Sequence, residues 1–99
     1  MQLLFEWDET KDRKNRKRHR VSFEEAKTVF NDPLSVTYLD EKHLEIEERF
    51  FIIGVSANNR TLLVIHTVHE VSLDQMRVRI ISCRKATRLE RMAYEEAQK

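Results

Sequence analysis

The alternation of hydrophobic and polar positions predicts a series of short β-strands. Residues 2–7 alternate weakly and predict a first strand, while the runs 49–56 and 61–69 are rich in Ile, Val, Phe and Leu, as strands are. The segment 57–60 between these runs reads Ala-Asn-Asn-Arg, and Asn tolerates the left-handed conformation that tight turns require. The two runs are therefore predicted to pair as an antiparallel hairpin.

Two further strands have weaker patterns. Residues 34–39 include β-branched side chains and can form a short strand after the helix-ending pair Asp32-Pro33. Residues 77–83 follow a predicted turn at 70–75 and return as the third strand of an antiparallel meander. The acidic stretch 40–47 is predicted to be an exposed loop.

Capping residues predict two amphipathic helices. Ser22 with Glu25, and Thr87 with Glu90, each stand in capping-box register ahead of residues at helical spacing. The apolar residues expected to face the core are Phe23, Ala26 and Phe30 in the first of these helices and Leu89, Met92 and Ala93 in the second.

Residues 9–19 predict a helix of a different kind. Asp8 offers an N-cap, but almost none of the side chains that follow is apolar. Such a helix is polar nearly all round and could dock only a limited face, for example against Trp7. The residues that would make it a phosphate-contacting surface are Lys11, Lys14, Lys17 and Arg18.

The order of strand, two helices, four strands and helix is typical of an α+β fold. We expect one domain over residues 1–99, in which two N-terminal helices and a C-terminal helix pack on a small antiparallel β-sheet. A chain of 99 residues can bury one modest core, and 35% charged residues with one Gly and one Pro favour regular elements over disorder.

The net charge of +1 conceals a segregation of charge along the chain. Residues 11–20 contain seven Lys or Arg and one acid, residues 40–48 contain five acids and one Lys, and residues 77–91 are basic again. This pattern indicates a dipolar surface that could face an anion, although solvated helix and loop faces would give the same pattern.

Three features bear on the compartment. Cys83 is the single cysteine, so an internal disulfide is impossible and a buried small side chain is expected. The longest apolar stretch, residues 50–55, is far too short to cross a bilayer, and the first residues lack the pattern of a signal peptide. We therefore expect a cytoplasmic protein.

Familiar metal and phosphate motifs are missing from the sequence. His66 and His69 are three residues apart on a predicted strand, which sends them to opposite faces. The single glycine, Gly54, lies within a strand and cannot form a Gly-rich phosphate loop. Ser82 and a distant His match a nucleophilic triad no better than any Ser and His would. We predict no metal site and no cofactor.

The candidate chemistry lies in arginines close to groups that can move protons. RNA can be cleaved without a metal ion when its 2′-hydroxyl attacks the adjacent phosphorus, which requires a base, an acid and cations for the phosphorane. If the three strands are neighbours, these side chains could converge on one face, although a bulge would turn Arg79 or Ser82 away. The candidates are Glu48 and His66 for proton transfer and Arg49, Arg79 and Arg84 for charge.

Each of these residues also has an ordinary structural interpretation. Glu48 and Arg49 can form a surface ion pair, and His66 can be a satisfied, half-buried side chain. Arg79 can be the cross-strand partner of an acid. Spacing alone therefore indicates an anion binder and leaves cleavage open.

A set of short motifs extends along nearly the whole chain. They are Phe5-Glu6-Trp7-Asp8, Asn15, Arg18-His19, Val21 to Ala26, Asp32-Pro33, Glu48-Arg49-Phe50, Ile53-Gly54, Leu63 to Thr67, Arg79 to Ala86 and Tyr94-Glu95. In this order and at this spacing the motifs resemble the BrnT toxins, the ribonuclease halves of type II toxin–antitoxin pairs. The length of the match makes the resemblance more specific than any single motif.

The resemblance implies a RelE-like fold and a metal-independent ribonuclease that blocks translation. It also implies a BrnA-type antitoxin, a ribbon-helix-helix DNA binder, and repression of the shared operon by the complex. Three positions depart from the family: Arg18 stands where Lys is usual, Arg20 where Gly is usual, and Cys83 where Ala is common. Arg18 keeps the charge but is not a titratable amine, and Arg20 would strain the turn if a left-handed conformation is needed there.

Two classes of function follow. The first is a toxin ribonuclease that uses the three arginines for phosphate charge and Glu48, His66 or His19 for proton transfer. The second is a non-catalytic module that binds nucleic acid or an acidic partner through its basic helix, or a degenerate toxin that acts only as a subunit of a repressor complex. The residues predicted to contact RNA are Lys11, Lys14, Lys17, Arg18, Arg77, Lys85 and Arg88.

Overall fold

A computed structural model describes residues 1–43 and 47–99. Its five strands are β1 (Gln2–Glu6), β2 (Val36–Leu39), β3 (Phe50–Val55), β4 (Thr61–Ser72) and β5 (Gln75–Lys85). Its α-helices are α1 (Glu9–His19), α2 (Phe23–Thr28) and α3 (Arg88–Glu96), with 3-10 turns at Val29–Asn31 and Glu41–His43. Residues 44–46 of the predicted acidic loop lie outside the described residues. In the described ranges no helix is long and apolar enough to span a membrane.

The five strands form one sheet in the order β1-β5-β4-β3-β2, which confirms the α+β class. The predicted antiparallel sheet differs in one detail, because β1 pairs with β5 in parallel and makes the sheet mixed. The first and last strands along the chain are therefore neighbours, and β1 forms the edge of the sheet beside β5.

The two predicted hairpins have different turns. Between β3 and β4, Asn59 has a φ of 60°, so the left-handed turn expected from the Asn pair is present. Between β4 and β5 the predicted turn at 70–75 is shorter, because β4 extends to Ser72 and only two residues separate it from β5. In this long hairpin, β5 pairs with β4 along one edge and with β1 along the other.

A β-bulge in β5 changes which face its side chains occupy. Ile65 pairs with Ser82 and His66 pairs with Ile80, so Ile81 is an extra residue on β5. Ile80 and Cys83, three apart, consequently both join the core on the side of α1 and α2. Arg79 and Arg84, five apart, lie by the same alternation on the opposite face.

The core has two parts, one on each face of the sheet. On one face Val21, Phe23 and Ala26 pack over buried β-strand residues such as Val64 and Ile80. On the other face a smaller cluster centres on Ile53, Leu63 and Ala86, with Phe51, Ile65 and Tyr94 packed against it. The sheet is thus covered unevenly, and the α3 side leaves part of it open.

The polar helix α1 is held mainly by two buried polar side chains. The amide nitrogen of Asn15 donates to the carbonyls of Val21 (2.9 Å) and Cys83 (2.8 Å), and its oxygen accepts from the Cys83 N–H (3.1 Å). Asp12 accepts from the Phe23 N–H at 2.9 Å. Asn15 therefore takes the place of a neighbouring strand where β5 runs beyond the end of β1.

The C-terminal helix α3 packs differently from the prediction. Leu89 and Met92 were expected to face the core, but they are 75% and 46% exposed. The helix packs on the sheet through the ring of Tyr94, whose hydroxyl also donates to Asp32 at 2.7 Å, and its Thr87–Glu90 capping box is present. The spacing correctly predicted a helix with one apolar side, but it did not identify Tyr94 as a residue that packs on the sheet.

The turn between α1 and α2 requires a left-handed residue, and that residue is Arg20, with a φ of 60° and a ψ of 31°. Because a Cβ atom is unfavourable in this conformation, an Arg20→Gly variant should be more stable by about 0.5–1 kcal/mol. Urea unfolding measures this change. Arg20→Ala keeps the Cβ and should show no gain, so equal stabilisation by both variants would contradict the explanation.

Candidate active site

Arg79 lies on the same face of the sheet as α3, in a part that α3 does not cover. In register it lies between Thr67 of β4 and Glu6 of β1. Its side chain is exposed, and within the described ranges its guanidinium makes no ion pair. Although Glu6 is the register partner of Arg79, the Glu6 carboxylate approaches Arg77 instead, at 3.9 Å. Arg79 therefore presents an uncompensated cation beside a buried strand.

A row of side chains crosses the sheet at this level. Because Phe50 pairs with His66, the preceding Arg49 lies level with Thr67, and Thr67 pairs with Arg79. Strand alternation places Arg49 on the same face as Phe51, which packs on the α3 side. Neighbouring strands are about 4.8 Å apart, so the backbones of Arg49 and Arg79 are about 10 Å apart with Thr67 between them.

Thr67 is the unusual member of this row. It is 1% exposed, and its hydroxyl oxygen is buried without a hydrogen-bond partner among the described residues. Leaving such a group unpaired is costly, and exceptions concentrate where a ligand or a solvent molecule completes the site. The two arginines therefore flank a buried hydroxyl that has no hydrogen-bond partner within the described ranges.

A basic depression lies next to Arg79, between α1 and β5. Its lining residues are Lys11, Lys14, Asn15, Arg18, His19, Ile81 and Ser82. Arg79 is two positions from Ile81 on the same strand, about 7 Å along β5. Arg79 itself borders a second depression with Glu6, Trp7 and Asp8, and Asp8 caps the first turn of α1. The two depressions are thus neighbours along one edge of the molecule.

His66 does not lie with these residues. It is 2% exposed on the other face of the sheet, between the rings of Phe30 and Phe50, with Nδ1 at 3.2 Å from the Val64 carbonyl. Burial lowers the pKa of His66 below its usual value and favours the neutral form. His66 is therefore a buried core histidine, as its structural interpretation predicted. Its side chain is not exposed to a phosphate.

Arg84 is engaged in holding α3. Its guanidinium donates to both carboxylate oxygens of Glu90, at 2.7 and 2.9 Å, and this pairing holds the pKa of Glu90 below its usual range. Arg84 shares a face with Arg79, but it lies four residues beyond Thr67 in register, opposite Leu63. The structure therefore separates Arg84 from the row that contains Arg49 and Arg79.

The remaining predicted residues are spread over several surfaces. Arg49 pairs with Glu47, at 3.3 Å, whereas Glu48 is exposed beside it. Arg77 pairs with Glu6, as described above, and lies on β5 two residues before Arg79. Lys17 is exposed on α1, Lys85 at the end of β5 and Arg88 at the start of α3. Only His19 and Arg18, with two lysines, join the depression next to Arg79.

Sequence reasoning missed two residues of this region, Trp7 and Thr67. Trp7 is half-buried and packs edge-to-face on Phe23, with ring centroids 6.1 Å apart. The sequence signal that could have identified Trp7 was its place at the junction of a predicted strand and a basic helix. Nothing in the sequence distinguishes Thr67 from any other strand threonine, because its isolation depends on what lies across the sheet.

Within residues 1–43 and 47–99, no three His, Cys, Asp or Glu side chains lie close enough together to hold a metal ion. Cys83 is buried, which raises its thiol pKa to about 12, and its sulfur lies 3.1 Å from the Asn15 amide nitrogen. Cys83 is therefore a neutral packing residue.

Comparisons with known proteins identify the family. A family model described as the ribonuclease toxin, BrnT, of type II toxin–antitoxin systems matches residues 7–90. The crystal structure of the Brucella abortus ribonuclease toxin, BrnT, is similar in fold, with a TM-score of 0.59 and 19% identity over 89% of this chain and 100% of that one. The comparison with curated protein sequences found no match. The match to the family model covers most of the chain, and the chain therefore belongs to the BrnT family of ribonuclease toxins of type II toxin–antitoxin systems.

Proposed function

We propose that this BrnT-family toxin is an endoribonuclease that cleaves RNA by attack of the substrate's own 2′-hydroxyl, with protein cations in place of a metal ion. The observation that carries the proposal is the guanidinium of Arg79, which forms no ion pair in the part of the chain that the structure describes and lies next to both the buried hydroxyl of Thr67 and the basic depression of α1. Cations that are not neutralised by the protein's own carboxylates remain available to a phosphate.

The reaction exchanges one phosphorus–oxygen bond for another. A base removes the proton of the 2′-hydroxyl, whose oxygen bonds to phosphorus as the bond to the 5′-oxygen breaks. An acid protonates that departing oxygen, and the products are a 2′,3′-cyclic phosphate and a free 5′-hydroxyl. The phosphorane between these states carries additional negative charge, which fixed cations stabilise more strongly than they stabilise the substrate.

Arg79 and Arg49 are proposed to hold the scissile phosphate. They approach it from either side of the strand that carries Thr67, whose buried hydroxyl lies between them in the register of the sheet. Arg49 donates to Glu47 in the free chain, so its guanidinium would leave that carboxylate when it binds the phosphate. Arg84 is left out of this role because Glu90 satisfies it in a bidentate pair.

Proton transfer is proposed to involve His19 and Glu48. His19 lines the basic depression and Glu48 is exposed next to Arg49, so both are accessible to RNA. His66 is left out because it is buried on the opposite face. Arg18, in the depression beside His19, supplies charge and not a proton, which fits its permanently charged guanidinium.

Lys11, Lys14 and Arg18 are proposed to guide the RNA strand toward Arg79. They line the depression that runs along α1, and cations spaced along a groove contact successive phosphates whatever the base sequence. Lys17, Arg77, Lys85 and Arg88 lie outside it, and we propose that they add to the positive field.

A type II toxin has a protein antitoxin as its partner. We propose that the partner here is a BrnA-type, ribbon-helix-helix protein, and that operator DNA is contacted through the complex of the two. By the same resemblance, cleavage would stop translation in the cytoplasm. Co-expression of such an antitoxin should restore growth to cells that the toxin arrests.

The decisive experiment is incubation of the purified chain with total RNA in excess chelator, followed by analysis of the fragment ends. Fragments with 2′,3′-cyclic phosphate or 3′-phosphate ends and 5′-hydroxyls are expected. Fragments that form only when Mg²⁺ is restored would overturn the metal-free mechanism. Intact RNA from a chain shown to be folded by circular dichroism would instead favour binding without cleavage, or a requirement for the ribosome.

A further inference from the structure

The depression formed by Glu6, Trp7, Asp8 and Arg79 combines groups that phosphate binding alone does not explain. Two carboxylates border the same space as the cation proposed to bind phosphate. A pure phosphate site would be weakened by such neighbours, because like charges repel. Nor do these carboxylates serve to neutralise Arg79, since in the described ranges neither forms an ion pair with it.

The depression therefore offers acceptors and donors at the same time. Glu6 is the register partner of Arg79, which places acceptor and donor side chains on adjacent strands. Asp8 uses one oxygen to accept from the Thr10 and Lys11 N–H groups as the α1 cap, and its other carboxylate oxygen forms no hydrogen bond in the described part of the chain. The α1 cap bonds lower the pKa of Asp8, so the carboxyl is ionised at neutral pH.

An aromatic ring completes the depression. Trp7 is held at a fixed angle by its edge-to-face contact with Phe23, with the two ring planes 85° apart. A half-buried indole held in this way presents part of its surface for stacking, and nucleobases stack on aromatic side chains with an energy that depends little on sequence. Stacking binds a base, and the polar groups at its edges then select which base.

Guanine is the base whose edges match these groups. It presents two adjacent donors, N1–H and the N2 amine, that a single carboxylate can accept together. It also presents two adjacent acceptors, O6 and N7, that an arginine can contact in bidentate fashion. Adenine, cytosine and uracil all lack the pair of adjacent donors, and adenine and uracil also lack a pair of adjacent acceptors.

We propose that the depression of Glu6, Trp7, Asp8 and Arg79 is a guanine-recognition site, which selects the nucleotide beside the bond that is cleaved. The inference rests on the proposed function, because Arg79 is shared between base and phosphate. It assigns a sequence preference to the toxin: RNA with guanosine next to the scissile phosphate is the preferred substrate.

Trp7 provides a direct test because it is the only tryptophan in the chain. Its fluorescence can be titrated with GMP, IMP, AMP, CMP and UMP at one fixed ionic strength, so that the phosphate contribution is common to all five. GMP is expected to quench the fluorescence and to bind about tenfold more tightly than AMP. IMP lacks the N2 amine and should fall between them.

A matched pair of variants isolates the carboxylate. Glu6→Gln removes one acceptor charge from the depression, and the ratio of GMP to AMP affinity should fall to within about twofold of unity. Glu9→Gln makes the same change at an exposed residue in the first turn of α1 and should leave the ratio as it is.

The outcomes of this test are distinguishable from those of the cleavage assay. Equal quenching by all five nucleotides, or a preference that survives Glu6→Gln, would overturn the guanine site even if RNA is cleaved. Absence of quenching by any nucleotide would overturn it as well. A guanine preference in binding, together with intact RNA in the cleavage assay, would keep the site and count against cleavage of RNA by the chain alone.

Discussion

An Arg79→Ala variant is expected to cleave RNA roughly 10²- to 10³-fold more slowly than the wild-type chain. The loss follows from the removal of a fixed cation that is more strongly attracted to the phosphorane than to the ground-state phosphate. Initial rates on a single fluorescent oligoribonucleotide, measured with enzyme in excess, report the chemical step. In cells, the same variant should fail to arrest growth.

Stability should not change with this substitution. Arg79 is exposed and makes no ion pair within the described residues, so its removal is expected to alter the free energy of unfolding by less than about 0.5 kcal/mol. Arg13→Ala is a matched control, since Arg13 is an exposed arginine of α1 whose guanidinium donates to the Thr10 hydroxyl at 3.3 Å. Wild-type cleavage by Arg79→Ala, or an equal loss in Arg13→Ala, would remove Arg79 from the site.

An Asn15→Ala variant is expected to lose roughly 3–5 kcal/mol of stability, a large part of what a domain of this size possesses. The side chain satisfies the N–H and the carbonyl of Cys83 and the carbonyl of Val21, and all three belong to buried residues. Without Asn15 the edge of β5 has no partner at this point, and α1 loses its principal attachment. Equilibrium unfolding in urea measures the change.

Two controls separate hydrogen bonding from packing in this variant. Asn15→Leu keeps the volume of the side chain but none of its polar atoms, and should be about as unstable as Asn15→Ala. Asn31→Ala removes an exposed asparagine and should change stability by less than about 0.5 kcal/mol. Recovery of stability in Asn15→Leu would show that volume, and not hydrogen bonding, holds α1.

Asn15 also forms part of the surface that is proposed to bind RNA. Asn15 lies in the wall of the basic depression, between the lysines of α1 and Ser82. The same amide that closes the edge of β5 thus positions the cations that are proposed to guide RNA. A destabilised Asn15 variant should also bind RNA more weakly at temperatures where it remains folded.

Much of the local structure was predictable because it depends on nearest neighbours. The N-terminus of α1 and the capping box of α3 follow from side chains that contact their own backbone within three residues, and the left-handed turn at Asn59 follows from the tolerance of Asn for that conformation. The segregation of charge was equally visible, since it requires only a count along the chain. The resemblance to BrnT toxins, read from motifs in order, was confirmed by the family match.

The location of the site could not be read in the same way. Whether Arg79 and Arg84 share a face depends on the Ile81 bulge, which shifts the alternation of β5 by one residue. Both His66 and Arg84 matched the chemistry by residue type, but one is buried against Phe30 and the other is paired with Glu90. Residue type indicates what a side chain can do, whereas its neighbours decide whether it is available.

The sequence by itself therefore determined the elements, the fold class and the supply of cations, because these depend on periodicity and on contacts within a turn. Only the tertiary structure decided that β1 lies parallel beside β5, that a polar side chain closes the strand edge, and that Thr67 is buried between two arginines. The first two features arise from residues more than 60 positions apart, such as Asn15 and Cys83, and the third from residues on three different strand segments. Local pattern carries no information about such pairs, because the energy that selects them appears only when the chain has folded.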